Sequence, residues 1–192
     1  MGLAVSVDLE ALPLIQALHY HPGPRRCPIS LIVVHTMEGH EKPRTARGTA
    51  TWLAGGLARY PAPVASAHYL VDAVEIVRGV RDEDVALHAP GANACGLGIE
   101  HAGRAGQTAA EWRDAYSEAM LRLSADLVAT LCVRYGIPAR HLAPQQLQAG
   151  ESGITGHAQV SAAWHRSSHW DPGPEFPWQW YLELVAARWV RA

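Results

Sequence analysis

The sequence predicts a mixed α/β protein, a central mixed β-sheet flanked by helices, in a single domain over residues 1–192. Short runs rich in β-branched and aromatic residues read as strands: LIVV at 31–34, SAHYLVD and VEIVRGV between 66 and 80, and LGIEHAG at 97–103. Helical stretches near 50–60, 109–135 and 178–190 interleave with them in no strict βαβ rhythm. A chain of 192 residues with 48% hydrophobic content is long enough to bury one sizeable core and short for two.

Residues 1–28 mix apolar positions with the loop HYHPGPRRCP, whose proline turns argue for an extended arm packed on the domain. The first Lys or Arg is Arg25, and Asp8 and Glu10 interrupt the apolar residues around them, so neither a Sec signal nor a membrane span is expected. In ATWLAGGLARY, Trp52, Leu53 and Leu57 stand near helical spacing despite Gly55 and Gly56. SAHYLVD and VEIVRGV lie close enough for a hairpin. Thr108 with Glu111 forms a capping box for a long helix over 109–135, with Trp112, Ala115, Ala119, Leu123 and Leu127 as its apolar stripe and Gly136-Ile137-Pro138 as its stop. Residues 139–152 read as a Gln-rich loop, and the last helix carries Trp180, Leu184 and Trp189 near one face.

Composition narrows the partners. Net charge is -2 and the pI about 6.6, which gives no broad electrostatic grip on nucleic acid or an anionic membrane, so recognition must come from a groove. Cys27, Cys95 and Cys132 are too few and too widely spaced for a disulfide framework or a C-x-x-C zinc module; the expectation is three reduced, buried thiols.

The densest chemistry lies in residues 153–178, GITGHAQVSAAWHRSSHWDPGPEFPW. Asp171 is followed by Pro172, Gly173 and Pro174, which impose a fixed non-helical path able to aim one carboxylate at a point. His157 sits in a Gly-flanked bend, and the apolar strand Leu31–Val34 delivers His35 at its C-terminal end, where open α/β sheets place ligands. Two His and one carboxylate suit an open zinc site, in which three protein ligands leave a fourth position for water. Glu100 ends the run Leu97-Gly98-Ile99, as either a solvated strand-end residue or a general base aimed into a cleft. His19, His21, His40, His141 and His165 read as ordinary surface or core histidines.

IVVHTMEG, GIEHAG, GHAQVS and HWDPGPEFPW, in this order, resemble the type-2 family of zinc N-acetylmuramoyl-L-alanine amidases, which shares its fold with peptidoglycan recognition proteins and includes many phage endolysins. The resemblance implies one Zn2+ per chain on His35, His157 and Asp171, the family placing its third ligand before Pro-Gly as Cys or Asp. It also implies a catalytic Glu100 in GIE. Many relatives carry an oxyanion-stabilising Lys where this chain has His169; its only lysine is Lys42, which makes His169 the natural donor, with a fourth ligand or a packing residue as rival readings. His68, His88 and Asn93 fall in segments that line the family's groove, as substrate contacts. The implied function is cleavage of the amide between N-acetylmuramic acid and L-alanine of peptidoglycan by a monomer. The implied setting is phage or prophage lysis, with cytoplasmic synthesis and holin-mediated release. Alternatives are a cytosolic amidase recycling muropeptides and a non-catalytic recognition module.

Overall fold

The computed structural model describes residues 7–56 and 61–189. In chain order the elements are β1 (Tyr20–His21), β2 (Leu31–Thr36), α1 (Thr45–Gly55), β3 (Tyr69–Val71), β4 (Ile76–Arg78), β5 (Val85–Ala86), β6 (Gly96–His101), a 3-10 turn (Glu111–Arg113), α2 (Ala115–Tyr135), α3 (Pro144–Gln148), β7 (Gly153–Gly156), α4 (His157–Trp164) and α5 (Trp178–Trp189). The main sheet runs β4-β3-β6-β2-β7, parallel throughout except for the antiparallel β3–β4 hairpin; β1 and β5 form a separate small ladder. This is the expected mixed sheet flanked by helices.

β2 is buried along its whole length because both sheet faces are covered, which explains its unbroken apolar run. Alternation along the strands sorts the core. Ile32, Val34, Leu97, Ile99, Tyr69 and Val71 face α2 and α5, while Leu31 and Val33 join Leu142, Leu147, Val160 and Ala163 on the side of α3 and α4. Leu70 and Val77 meet Ala46, Ala50 and Leu53 of α1. His35 continues the Leu31–Val33 side, and β6 places Glu100 directly beside it in register. The parallel register therefore sets the end of each strand, on one face, at one place.

The long helix departs from the sequence reading. The Thr108–Glu111 box forms, with Thr108 N–H donating to Glu111 Oε2 at 2.7 Å, but it caps only the 3-10 turn. Asp114 is extended and caps a new helix, accepting from Ser117 N–H at 2.8 Å. The restart shifts the helical phase: Ala115 and Ala119 are exposed, Leu123 half-buried, and the buried stripe is Ser117, Met120, Leu121, Ser124, Leu127, Val128 and Leu131. Trp112 is still fully buried, edge-on to Phe176 at 5.0 Å between ring centroids. Gly136, at φ 65°, stops α2 as expected.

Smaller differences have local causes. α1 begins at Thr45, earlier than expected, and ends before Gly56; Leu57 lies outside the described residues, as does the side chain of Trp189. α3 forms inside the expected loop because Gln146 Oε1 accepts from Ala143 N–H at 3.0 Å, a cap that a five-residue helix without apolar periodicity does not advertise. In α5 the buried positions are Tyr181 and Val185, with Trp180 and Leu184 half-buried beside them. Near the N-terminus, Ile15 and Ala17 donate to the carbonyls of Arg78 and Gly79 at 2.9 and 2.7 Å, which lays this segment along the β4 edge.

The cysteines require a correction. Cys27 and Cys95 form a disulfide across 68 residues, with Cα atoms 5.6 Å apart, and only Cys132 is a free, buried thiol, pushed by burial up to about 12. Sequence spacing carried no signal for the pair. β2 and β6 start side by side, Leu31 against Gly96, so the residues leading into each strand meet. Chain-entropy scaling for a loop of this length gives about 4 kcal/mol of stabilisation. Urea unfolding with and without dithiothreitol should differ by about that amount, and a Cys27→Ser variant should match the reduced protein; equal midpoints would show that the bond does not hold the fold.

Candidate active site

Three elements converge at the C-terminal ends of β2 and β7. β2 carries His35 as its penultimate residue, β7 passes at Gly156 straight into α4 with His157 as its first residue, and the Asp171-Pro172-Gly173 turn folds back over that junction. The turn is tied down where Ala158 N–H donates to the Asp171 carbonyl at 2.9 Å. Two glycines allow the approach. A Cβ on Gly156 would lie 2.7 Å from Pro172 Cδ, and one on Gly173, at φ 95°, would run into the Ala105 carbonyl.

The result is a carboxylate between imidazoles. His35 Nδ1 lies 2.9 Å from Asp171 Oδ2 and His157 Nδ1 3.4 Å from Oδ1; one ligand atom from each of the three residues falls within 4.8 Å of the others. All three side chains are buried. Burial alone would raise the Asp171 carboxyl, but hydrogen bonds from His157 and His35 outweigh it and hold the group well below the usual carboxylate range. Burial lowers His35 in turn, against the pull of Asp171. An ionised carboxylate between two imidazoles is a donor set for a cation of borderline softness.

His169 stacks on His157, ring centroids 4.6 Å apart and planes within 6°, with its side chain mostly exposed and Nδ1 3.7 Å from Asp171 Oδ1. Glu100 shares the cleft. Its Oε2 is enclosed without a hydrogen-bond partner among the described residues, and burial, together with the negative charges of Asp171 and Glu38, raises its carboxyl well above the ordinary range. The cleft measures about 170 Å3, and His35, Glu100, His157, His169 and Asp171 all line it. A larger surface recess of about 620 Å3 beside Arg25 and Tyr135 contains none of these residues.

The three residues read as substrate contacts separate. His68 is fully enclosed; its Nδ1 accepts from Gly98 N–H at 3.0 Å, and the Arg25 guanidinium lies 2.6 Å from Nε2. Burial first, then the Arg25 charge, lowers it to about 3. Asn93 spends its Oδ1 on the backbone N–H groups of His88 and Ala89, at 3.1 and 2.6 Å, and so shapes a turn. Neither lines the cleft. His88 does, although its Nδ1 is 3.1 Å from His35 Nε2. Sequence reasoning missed Glu38, which lines the cleft, and Ser167, 3.1 Å from His157 Nε2; the path of the loops alone brings both into place. It also passed over His101, whose Nδ1–H donates to the His35 carbonyl at 3.1 Å and whose Nε2 accepts from Ser124 at 2.6 Å.

The family model described as N-acetylmuramoyl-L-alanine amidase (Amidase_2) matches residues 25–174. N-acetylmuramoyl-L-alanine amidase A of Achromobacter lyticus is 32% identical over 169 residues, covering 81% of this chain and 82% of the relative. Among solved structures, the Staphylococcus aureus hydrolase AmiA in complex with its ligand superposes with a TM-score of 0.70 at 15% identity, covering 96% of this chain and 85% of that one. AmpD superposes at 0.65 and 24% identity, covering 96% and 99%. These two likenesses speak for the fold. The family match spans most of the chain, including His35, His157 and the Asp171 turn, and the chain belongs to the N-acetylmuramoyl-L-alanine amidase family.

Proposed function

We propose that the protein is a zinc hydrolase that cleaves the amide between the lactyl group of N-acetylmuramic acid and L-alanine of peptidoglycan, acting on the cell wall in the manner of an endolysin. The observation that carries the reading is the buried convergence of His35, His157 and Asp171 beside an enclosed, unpartnered Glu100 oxygen. The donor set fits zinc: two imidazole nitrogens and one ionised carboxylate oxygen, with no competing lysine or arginine in the cleft lining. When bound there, zinc would supply Lewis acidity toward a water molecule and the scissile carbonyl.

The protein's own residues supply the rest. Glu100, held on a strand rather than a loop, takes the proton from the attacking water and passes it to the leaving nitrogen, two steps that suit a carboxyl with a raised pKa. His169, at the rim and stacked on His157, donates to the oxygen that becomes negative. A non-catalytic recognition module would have no use for this enclosed carboxyl. Recycling of muropeptides in the cytosol is a second reading, but the Cys27–Cys95 disulfide favours work in an oxidising setting outside it. No described helix is long and apolar enough to cross a membrane. Mass analysis of products from intact sacculi and from soluble muropeptides separates the two readings.

Purified protein should hold about one zinc per chain, and stripping it should abolish amide cleavage while far-UV circular dichroism stays largely unchanged; full activity after chelation verified by elemental analysis would refute the metal assignment. Glu100→Gln should keep its zinc and lose about 10²–10⁴-fold in turnover, and a change of only a few-fold would make Glu100 a structural strand-end residue. His169→Ala should lower kcat by about 10²–10³-fold with zinc content intact. Loss of zinc in that variant would instead mark His169 as a ligand, and lowered stability with normal turnover would mark it as packing.

A further inference from the structure

His35 and His157 use their ring nitrogens in the same way. In both, Nδ1 faces the Asp171 carboxylate, at 2.9 and 3.4 Å. In both, Nε2 is turned away onto a neighbour: His88 Nδ1 at 3.1 Å for His35, and Ser167 Oγ at 3.1 Å for His157, with Ser167 backed by Ser161 at 2.6 Å. A neutral imidazole that offers one nitrogen to a cation carries its proton on the other, and an enclosed N–H needs an acceptor.

We propose that His88 is the positioning residue of His35: when zinc takes the Nδ1 that otherwise faces Asp171, the single proton of His35 sits on Nε2, and His88 Nδ1 accepts it and so fixes the tautomer and ring plane in which His35 offers Nδ1. The inference rests on the zinc reading above, and it gives His88 a role other than substrate contact.

His88 is built to hold still. Its backbone N–H donates to Asn93 Oδ1 at 3.1 Å, its ring stands perpendicular to that of His35 at 5.2 Å, and only 8% of the residue is exposed. The ring lies on Gly98, where a Cβ would approach His88 Cγ to 2.5 Å, so β6 leaves room for it by having no side chain there. Accepting at Nδ1 puts the proton of His88 on Nε2, an enclosed atom on the side of the Gly96 carbonyl. That leaves Nδ1 as the nitrogen free to accept, and His35 Nε2 is the group it meets.

Zinc affinity, measured by competition with a chromophoric chelator, tests this in wild type, His88→Gln and His88→Leu. Leucine fills the space over Gly98 without an acceptor, and His88→Ala serves if leucine does not fold; the apo-state unfolding temperature reports the fold separately. The acceptor-less variant should bind zinc about 10- to 100-fold more weakly than wild type, and glutamine, whose Oε1 can accept, should recover most of the loss. An acceptor-less variant with wild-type zinc affinity and a raised KM for muropeptide would overturn the inference and return His88 to the substrate. A wild-type protein that binds no zinc would overturn the metal reading itself, a result distinct from equal affinities among the variants.

Discussion

The structure at this end of the sheet is arranged around one buried negative charge. A carboxylate taken out of water is severely destabilising unless opposite partial charges or hydrogen-bond donors surround it, and Asp171 is almost wholly enclosed. Its two oxygens are met by His35 and His157, which come from parts of the chain more than 100 residues apart. Meeting that requirement explains several features that look unrelated in sequence. Gly156 has no side chain so that Pro172 can lie against the β7–α4 junction, and Gly173 adopts a positive φ under the Ala105 carbonyl. Neighbouring β2 and β7 run parallel, so both strand ends are delivered to the same edge.

The other face of the sheet fixes the first of those imidazoles from behind. Tyr181 of α5 donates to Ser124 of α2 at 2.7 Å, Ser124 donates to His101 Nε2, and His101 Nδ1–H donates to the His35 carbonyl. Every donor in that order finds an acceptor, with His101 neutral, as its burial requires; burial lowers it to about 4. Packing of α2 and α5 is thereby linked to the backbone at the strand end that carries His35. A fully satisfied polar chain through an apolar core gives direction as well as stability, because the apolar contacts around it tolerate small sliding and the hydrogen bonds do not.

What could be read from the sequence follows from how local each signal was. The strands, the hairpin and the stop at Gly136 were legible because side-chain period and turn chemistry act over a few residues. His35 was legible because an apolar run leads to it, and Asp171 because the prolines and glycine around it have few conformations open to them. The start of α2 was misread because two capping signals, Thr108 and Asp114, lie six residues apart and the nearer one to the helix wins. The disulfide, the burial of His68 and the turn built by Asn93 were not legible. The first two depend on which strands lie side by side, information held in the parallel register and not in any window of sequence, while the Asn93 turn is local but shares its residue types with a binding loop.

The same register bears on how the proposed acid–base and metal chemistry could occupy so small a space. His35 and Glu100 are cross-strand neighbours, so their backbone separation is set by the ladder and does not depend on loop flexibility. Two carboxyls near each other would ordinarily raise one another, and Glu100 does feel Asp171. Asp171 escapes because its hydrogen bonds with His157 and His35 outweigh its burial, whereas Glu100 Oε2 has no such partner. One acidic group is thus held ionised and able to stay on a cation, and the other is left free to gain and lose a proton. Difference in hydrogen bonding, more than difference in position, divides the two roles.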